Sequence, residues 1–477
     1  MIDRKKLVSR HNINLKAADI WSPLSVGNGR FVFTADITGL QTLGAWYEDG
    51  VTLNTMAEWG WNSHPNVDQV RFEESLLDVD TYGRSVSYPL RTKSMQTDWL
   101  RANPHQSNLA QIAFVTRDLF EHDLGVDDIQ NVHQELDLWH GKLVSQFKLA
   151  GYDVLVETMC HPEQDTIGIR VVTPLIANGK LGVSVRFPYT SAAWGRSPSD
   201  WGHSDRHNTR VVSQANQSVV IEHKLDDLAY ECAISSQEKV TWELPREHCV
   251  ELWTSRPDMM ELNFTVSFSK NLLREICVQE VREASEKHWV NFWKSGGAID
   301  LSESIDARWM ELERRIVLSQ YVTAIQSCGA LPPAETGLTC NSWFGKFHLE
   351  MHWWHGVHFA LWGRIGMLEN NLVYYQKIIG LARETAQRQG YKGVRWPKMV
   401  GPEGHESPSG VGPMLIWQQP HPIYYAELCY RQHQNEETLN LYREIVFETA
   451  DFMASYAHWN DQKAQYDLGP PLIPAQE

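Results

Sequence analysis

Near residue 270 the hydrophobic pattern changes period, so one chain must build two different kinds of layer. From about 140 to 269 apolar residues recur at every second position. "KLVSQFKLAGYDVLVETMC" reads as two strands around Gly151, and "TIGIRVV", "KLGVSVRF", "TRVVSQANQSVVIEHK", "YECAISS", "EKVTWEL" and "MELNFTVSFS" follow. Alternating β-branched and polar residues between Gly, Asn and Ser turns predict an antiparallel β-sandwich. An earlier stretch, "GRFVFTADI", adds a strand. Beyond 270, "NLLREICVQEVREASEKHWVNFWKS" has helical spacing and "GGAIDLS" reads as a joint. Helices are expected at about 303–327, 343–364, 367–389, 414–432 and 436–459. At 477 residues the chain is too long for one ordinary core. The expected division is a β-sandwich domain over 1–269, a helical linker over 270–299 and a helical domain over 300–477.

Composition narrows the function. A formal charge of −16 disfavours nucleic acid, whose phosphates need a basic surface. No apolar run approaches the roughly 20 residues that span a bilayer. No apolar segment follows the basic N-terminus, so no secretion signal is visible and a cytoplasmic location is expected. Seven scattered cysteines with no CxxC pair suit reduced thiols. The isolated GNG at Gly27–Gly29 lacks the rest of any nucleotide-binding motif. Tryptophan is abundant, 20 of 477. Large cores would explain that, and so would sugar binding, in which an indole face covers the C–H surface of a pyranose.

The stretch "FHLEMHWWHGVH" (347–358) concentrates the question. On a helix His348, His352 and His355 would share a face, as zinc ligands do. The order here is H-x-E-x-H rather than H-E-x-x-H, which turns Glu350 to the opposite side. No catalytic metal and no cofactor are therefore expected. Trp353 and Trp354, three and four positions after Glu350, would flank the carboxylate on a helix, which suits a sugar pocket as well as aromatic packing. A second cluster, "GVRWPKMVGPEGHESPSGVGP" (393–413), holds Arg395, Trp396, Lys398, Glu403, His405 and Glu406 in a Gly/Pro-rich loop, and Gln418, Gln419 and His421 follow it. The loop "TSAAWGRSPSDWGHSDRHN" (190–208) is long enough to need a role. It is expected to reach towards the pocket with Trp194 or Trp201.

These segments resemble glycoside hydrolase family 65 and its six-hairpin relatives, among them disaccharide phosphorylases. "SPLSVGNGRFVFTADITG" is similar to the family's opening strand segment, and "WLRANPHQSNLAQIAF" to a segment of its family-65-like members. "GVRWPKMVGPEGHE" resembles the G-A-R-[FY]-P-W…G-x-E loop, matching Arg395, Trp396 and Glu406. "KFHLE" stands where the phosphorylases carry F-W-D-T-E, so Glu350 matches the glutamate while His348 replaces the aspartate that grips the sugar. "YDLGPPLIPAQE" occupies the place of G-P-D-E, which makes Glu477 the general acid.

The resemblance implies a β-sandwich (a super-sandwich), a helical linker and an (α/α)6 catalytic barrel. Such a barrel needs twelve helices and about five follow residue 300, so it is expected only in part, with the general base beyond residue 477. The implied activity is inverting hydrolysis of α-linked glucosides, disaccharides above all. The alternatives are an inverting phosphorylase releasing β-glucose 1-phosphate and a non-catalytic carbohydrate-binding protein. The substrate-binding set is Glu350, His348, Trp353, Trp354, Arg395, Trp396, Lys398 and Glu406. The expected partner is a small α-linked disaccharide, with no nucleic acid, no membrane and homodimerisation an open option.

Overall fold

The computed structural model describes residues 2–254, 256–271, 274–469 and 471–473. The chain is mixed β and α, and its two compact units interleave in sequence. The first takes the residues up to Ser63, then Gln106–Gln326 and Thr336–Asn341; the second takes His64–His105, Ser327–Glu335 and the residues from Ser342 onward. Residues 64–105 thus join the helical part although they lie early in the chain.

The first unit is built on a nine-stranded antiparallel sheet. Its order is Ile13–Leu15, Ile129–Asp137, Lys142–Leu149, Tyr152–Cys160, Thr166–Val172, Glu261–Ser269, Ala229–Ser236, Ser218–Lys224 and Asn208–Gln214. The period-two pattern becomes strand pairing through turn chemistry. Ala150 and Gly151 take φ of 50° and 84°, the left-handed pair that a two-residue hairpin requires. Leu149 therefore faces Tyr152, and Leu143, Ser145, Phe147 and Leu149 are buried while most of the residues between them are not. A four-stranded antiparallel sheet, ordered Thr241–Glu243, Cys249–Trp253, Leu181–Arg186 and Gln111–Thr116, lies in the same unit.

The helix Val278–Lys294 buries Val278, Val281, Ser285, Trp289, Phe292 and Trp293, one stripe at helical spacing. It comes close to the large sheet because Gly168 carries no side chain: a Cβ there would lie 2.9 Å from the Cβ of Val281. Gly141, at φ 63°, likewise leaves room for the Trp289 ring. The 190–208 loop folds within this unit. Tyr189–Thr190 pairs with Ser199–Asp200, Trp201 lies 4.4 Å from the Arg186 guanidinium, and the Asn341 amide donates to the carbonyls of Ala193 and Arg196.

The second unit holds the helices His352–Leu361, Ile365–Arg388, His421–Gln432 and Glu436–Tyr456, together with the hairpin Leu76–Thr81/Arg84–Pro89 and the helix Met95–Ala102. Its interior is aromatic, with Tyr374, Tyr375, Trp396, Tyr425 and Phe452 buried. Three expected helix starts are corrected, the first being the helix expected at 303–327, which begins at Trp309. The helix expected at 343–364 begins only at His352, because Trp343, Phe344 and Gly345 take φ of 49°, 63° and 77° and break the spiral. The helix expected from 414 begins at His421, after a Pro- and Gly-containing turn. Among the described residues no helix is long and apolar enough to cross a membrane, and none of the seven cysteines is in a disulfide.

Candidate active site

The site is assembled by a small pairing that connects residues some fifty positions apart. Phe347–His348 pairs antiparallel with Met399–Val400, and the Leu349 amide donates to the Lys398 carbonyl at 2.7 Å. A bridge from Val400 to Glu406 adds a third segment beside these two. The register brings Lys398 Nζ to 3.3 Å from Glu350 Oε1, with side-chain exposures of only 7% and 6%. A buried pair of this kind is poorly hydrated, so its mutual attraction is little screened by water.

Trp343 stands beside this pair. Lys398 Nζ lies 5.3 Å from its ring centroid, the Arg101 guanidinium carbon 4.6 Å, and the His348 ring meets it edge-on at 5.4 Å. Trp343 and Phe344 hold left-handed backbone conformations, which bulky residues adopt at a cost of about 1–2 kcal/mol each. Lys346 fixes the strained turn from below. Its ammonium donates to the carbonyls of Leu100 (3.0 Å), Arg101 (2.8 Å) and Asn103 (2.9 Å) and to Ser407 Oγ (3.1 Å). Burial, then Arg101, pulls this amine down to about 7, while the three carbonyls favour its charged form.

The histidines of the 347–358 stretch do not form a metal centre. His352 is a core residue: Nδ1 lies 3.0 Å from the Tyr375 hydroxyl and Nε2 3.3 Å from Asn371 Oδ1. His348 is fully buried, and burial, Lys398, His355 and Arg101 push it down to about 3. Its 3.5 Å approach to Glu335 is thus a contact of a neutral ring with a carboxylate rather than an ion pair. Burial brings His355 and His358 to about 4. Among the described residues, no three of these histidines bring ligand atoms together.

The remaining expected residues fall into two groups. Trp353 and Trp354 lie in the first turn of the helix that Glu350 precedes, so they do not flank it as helical neighbours. Trp353 stacks on Tyr424 at 4.5 Å and 20°, and Trp354 is 60% exposed. With Trp417, Pro420, His421 and Tyr424 they line an open, aromatic cleft of about 400 Å³. It sits at the N-terminal ends of the helices His352–Leu361 and His421–Gln432, the end at which Glu350 lies.

Arg395 and Trp396 are interior residues. The Arg395 guanidinium donates to Gln389 Oε1 and to the carbonyls of Pro413 and Leu415. The Trp396 indole donates to Thr449 Oγ1, and its carbonyl accepts from Gln418 and Gln419. Glu406 is buried 3.5 Å from Arg388; burial raises its carboxyl, and Arg395 and Arg388 oppose that shift. Glu477 lies outside the described residues. Sequence reading did not find Trp343, Arg101 or Lys346. Arg101 was inside a stretch singled out for its family likeness, while the three adjacent left-handed residues leave no mark on hydrophobic period.

No family model and no curated protein matches the chain. Solved structures do. One described as "Putative kojibiose phosphorylase from human microbiome" matches with TM-score 0.67 and 11% identity, covering 97% of this chain and 61% of that one. A bacterial glucoamylase solved with acarbose matches at TM-score 0.46 and 10% identity, covering 93% of this chain and 62% of that one. A GH92-family glycosyl hydrolase matches at TM-score 0.39 and 9% identity, covering 97% and 57%. The chain thus spans about three-fifths of the length of the first two. At 11% identity what is shared is the fold.

Proposed function

We propose that the chain belongs to a carbohydrate-active enzyme that hydrolyses α-linked glucosides, disaccharides above all, with inversion. The observation that carries this reading is the buried Glu350–Lys398 pair, set beside Trp343 and at the same helix ends as an open aromatic cleft. A desolvated carboxylate held by a cation accepts hydroxyl hydrogen bonds strongly, and indole faces cover the apolar side of a sugar ring. The likeness to the kojibiose phosphorylase fold supports the same substrate class. The helices of the second unit would form part of an (α/α)6 barrel. Inverting hydrolysis places two carboxyls roughly 6.5–9.5 Å apart, one protonating the leaving oxygen and the other activating water. In this reading Glu350 binds sugar, and the general acid is Glu477, by resemblance.

Phosphorolysis is the second reading, because Lys398 and Arg101 both lie against the Trp343 ring, and two cations around one aromatic wall also suit an anion. The test is incubation of the full-length protein that carries this chain with a panel of α-linked glucose disaccharides, with and without phosphate, following the released anomer by NMR. Hydrolysis predicts β-glucose without phosphate, and Glu350→Gln should lower kcat/KM about 10- to 100-fold, the worth of one hydrogen bond to a charged group. Dependence on phosphate with β-glucose 1-phosphate as product would favour the second reading. Saturable binding without turnover would replace both with a carbohydrate-binding protein.

A further inference from the structure

The 190–208 segment ends in a histidine that the sugar site does not use. His207 directly precedes the strand Asn208–Gln214; His223 lies within Ser218–Lys224; His248 directly precedes Cys249–Trp253. One ring nitrogen from each lies within 4.8 Å of the other two, the only such three-residue group among the described residues. His207 and His248 stack at 3.7 Å, and His223 meets His207 nearly at right angles at 5.1 Å. Three imidazoles from distant points of the chain are gathered here around one small volume.

The hydrogen bonds of this cluster are incomplete in a way that ordinary packing does not explain. Thr209 Oγ1 lies 2.9 Å from His223 Nδ1 and 2.7 Å from His248 Nδ1, and His248 Nε2 lies 2.9 Å from the Ser204 carbonyl. A carbonyl only accepts, so His248 donates from Nε2 and, when neutral, its Nδ1 takes the proton of Thr209. The Pro188 backbone also acts on His223 as an acceptor, so His223 donates either from Nδ1 to Thr209 or from Nε2 to Pro188. Either way the single Thr209 proton leaves one nitrogen of this fully buried ring without a donor. Buried His207 Nδ1 is without a partner too. An uncompensated buried nitrogen is expensive, and two in one cluster point to a ligand. The backbone agrees: His248 takes φ 57°, a conformation uncommon outside glycine that turns up where structure serves a site.

We propose that His207, His223 and His248 bind one first-row divalent transition ion, zinc in the first instance. Imidazole nitrogens suit zinc, copper and nickel and do not suit magnesium or calcium. A tetrahedral ion at about 2.0–2.1 Å needs nitrogens about 3.3 Å apart, so the rings must close in by about an ångström or more. His207 and His248 sit just outside strands and can pivot, while His223 is held in its sheet. Burial already keeps His207 and His223 in the neutral form that a metal needs. Among the described residues no carboxylate oxygen joins the three imidazoles, so water would complete a tetrahedral ion. The ion would tie the edge of the nine-stranded sheet, through His207 and His223, to the four-stranded sheet, through His248. Its role is a clamp within the first unit, independent of the carbohydrate reading.

The test uses the full chain, stripped with chelator and titrated with zinc by calorimetry, with cobalt in parallel as a spectroscopic probe. Binding of one equivalent is expected, with a visible cobalt band typical of nitrogen ligands and a Tm raised by several degrees at saturating zinc. The double variant His207→Gln/His248→Gln should weaken binding on the order of 100-fold or more, lose the cobalt band and keep the Tm of the stripped parent. Because neither replaced residue is in the buried strand, that variant tests ligation rather than folding. No uptake by the stripped parent, or uptake undiminished in the double variant, would overturn the proposal.

Discussion

Replacing Glu350 by Met while leaving Lys398 in place should destabilise the chain more than replacing both. The pair is 3.3 Å apart with both side chains more than nine-tenths buried, so the lost partner cannot be supplied by bulk water. Breaking such a pair costs about 3–5 kcal/mol, because a charge is left desolvated, whereas exchanging both members for apolar groups is often close to neutral. Glu350→Met and Lys398→Met should each cost about 3–5 kcal/mol and the double variant about 0–3. The coupling is then about 3 kcal/mol or more, far above the few tenths expected of independent sites. At about 2–4 °C per kcal/mol for a unit of 150–250 residues, each single variant should lower Tm by about 6–20 °C. Urea denaturation followed by tryptophan fluorescence and circular dichroism gives the four free energies. If the two single losses add to give that of the double variant, the pair is not a desolvated unit and the site model built on it fails.

Acid should unfold the chain earlier than its carboxylates alone would dictate. His348 and His352 are held down to about 3 by burial, while the unfolded chain takes up their protons below about 6.5. The unfolded state therefore binds more protons between those limits, so the stabilisation is complete above about 6.5 and is lost as pH falls towards 3. The slope is about 1.4 kcal/mol per pH unit for each histidine, and a urea midpoint unchanged from pH 6.5 to 4.5 would contradict it. Gly141→Ala should cost about 2–5 kcal/mol, since a Cβ at φ 63° would lie 1.9 Å from the Trp289 ring in addition to straining the backbone. A melting temperature equal to that of the parent would show that the helix Val278–Lys294 is not seated as described.

What the sequence determined is what nearest neighbours along the chain decide. Period-two alternation, the Ala150-Gly151 turn and the apolar stripe of Val278–Lys294 each depend on residues a few positions apart, so strands and helices were legible as such. The resemblance also drew attention to residues 348–350 and 395–406 before any geometry was known. Tertiary structure decided what those residues do. Glu350 meets Lys398 only because Phe347 pairs with Val400, and Arg395 and Trp396 became interior ties only because loops at 413–419 and the helix Glu436–Tyr456 fold onto them. The Lys346 ammonium reaches carbonyls some 245 positions earlier, a distance over which hydrophobic period carries no information. The same holds for His207, His223 and His248: each is unremarkable in its own segment, and only the pairing of strands, which conceals one nitrogen of His223 from water and from every donor, turns them into a cluster.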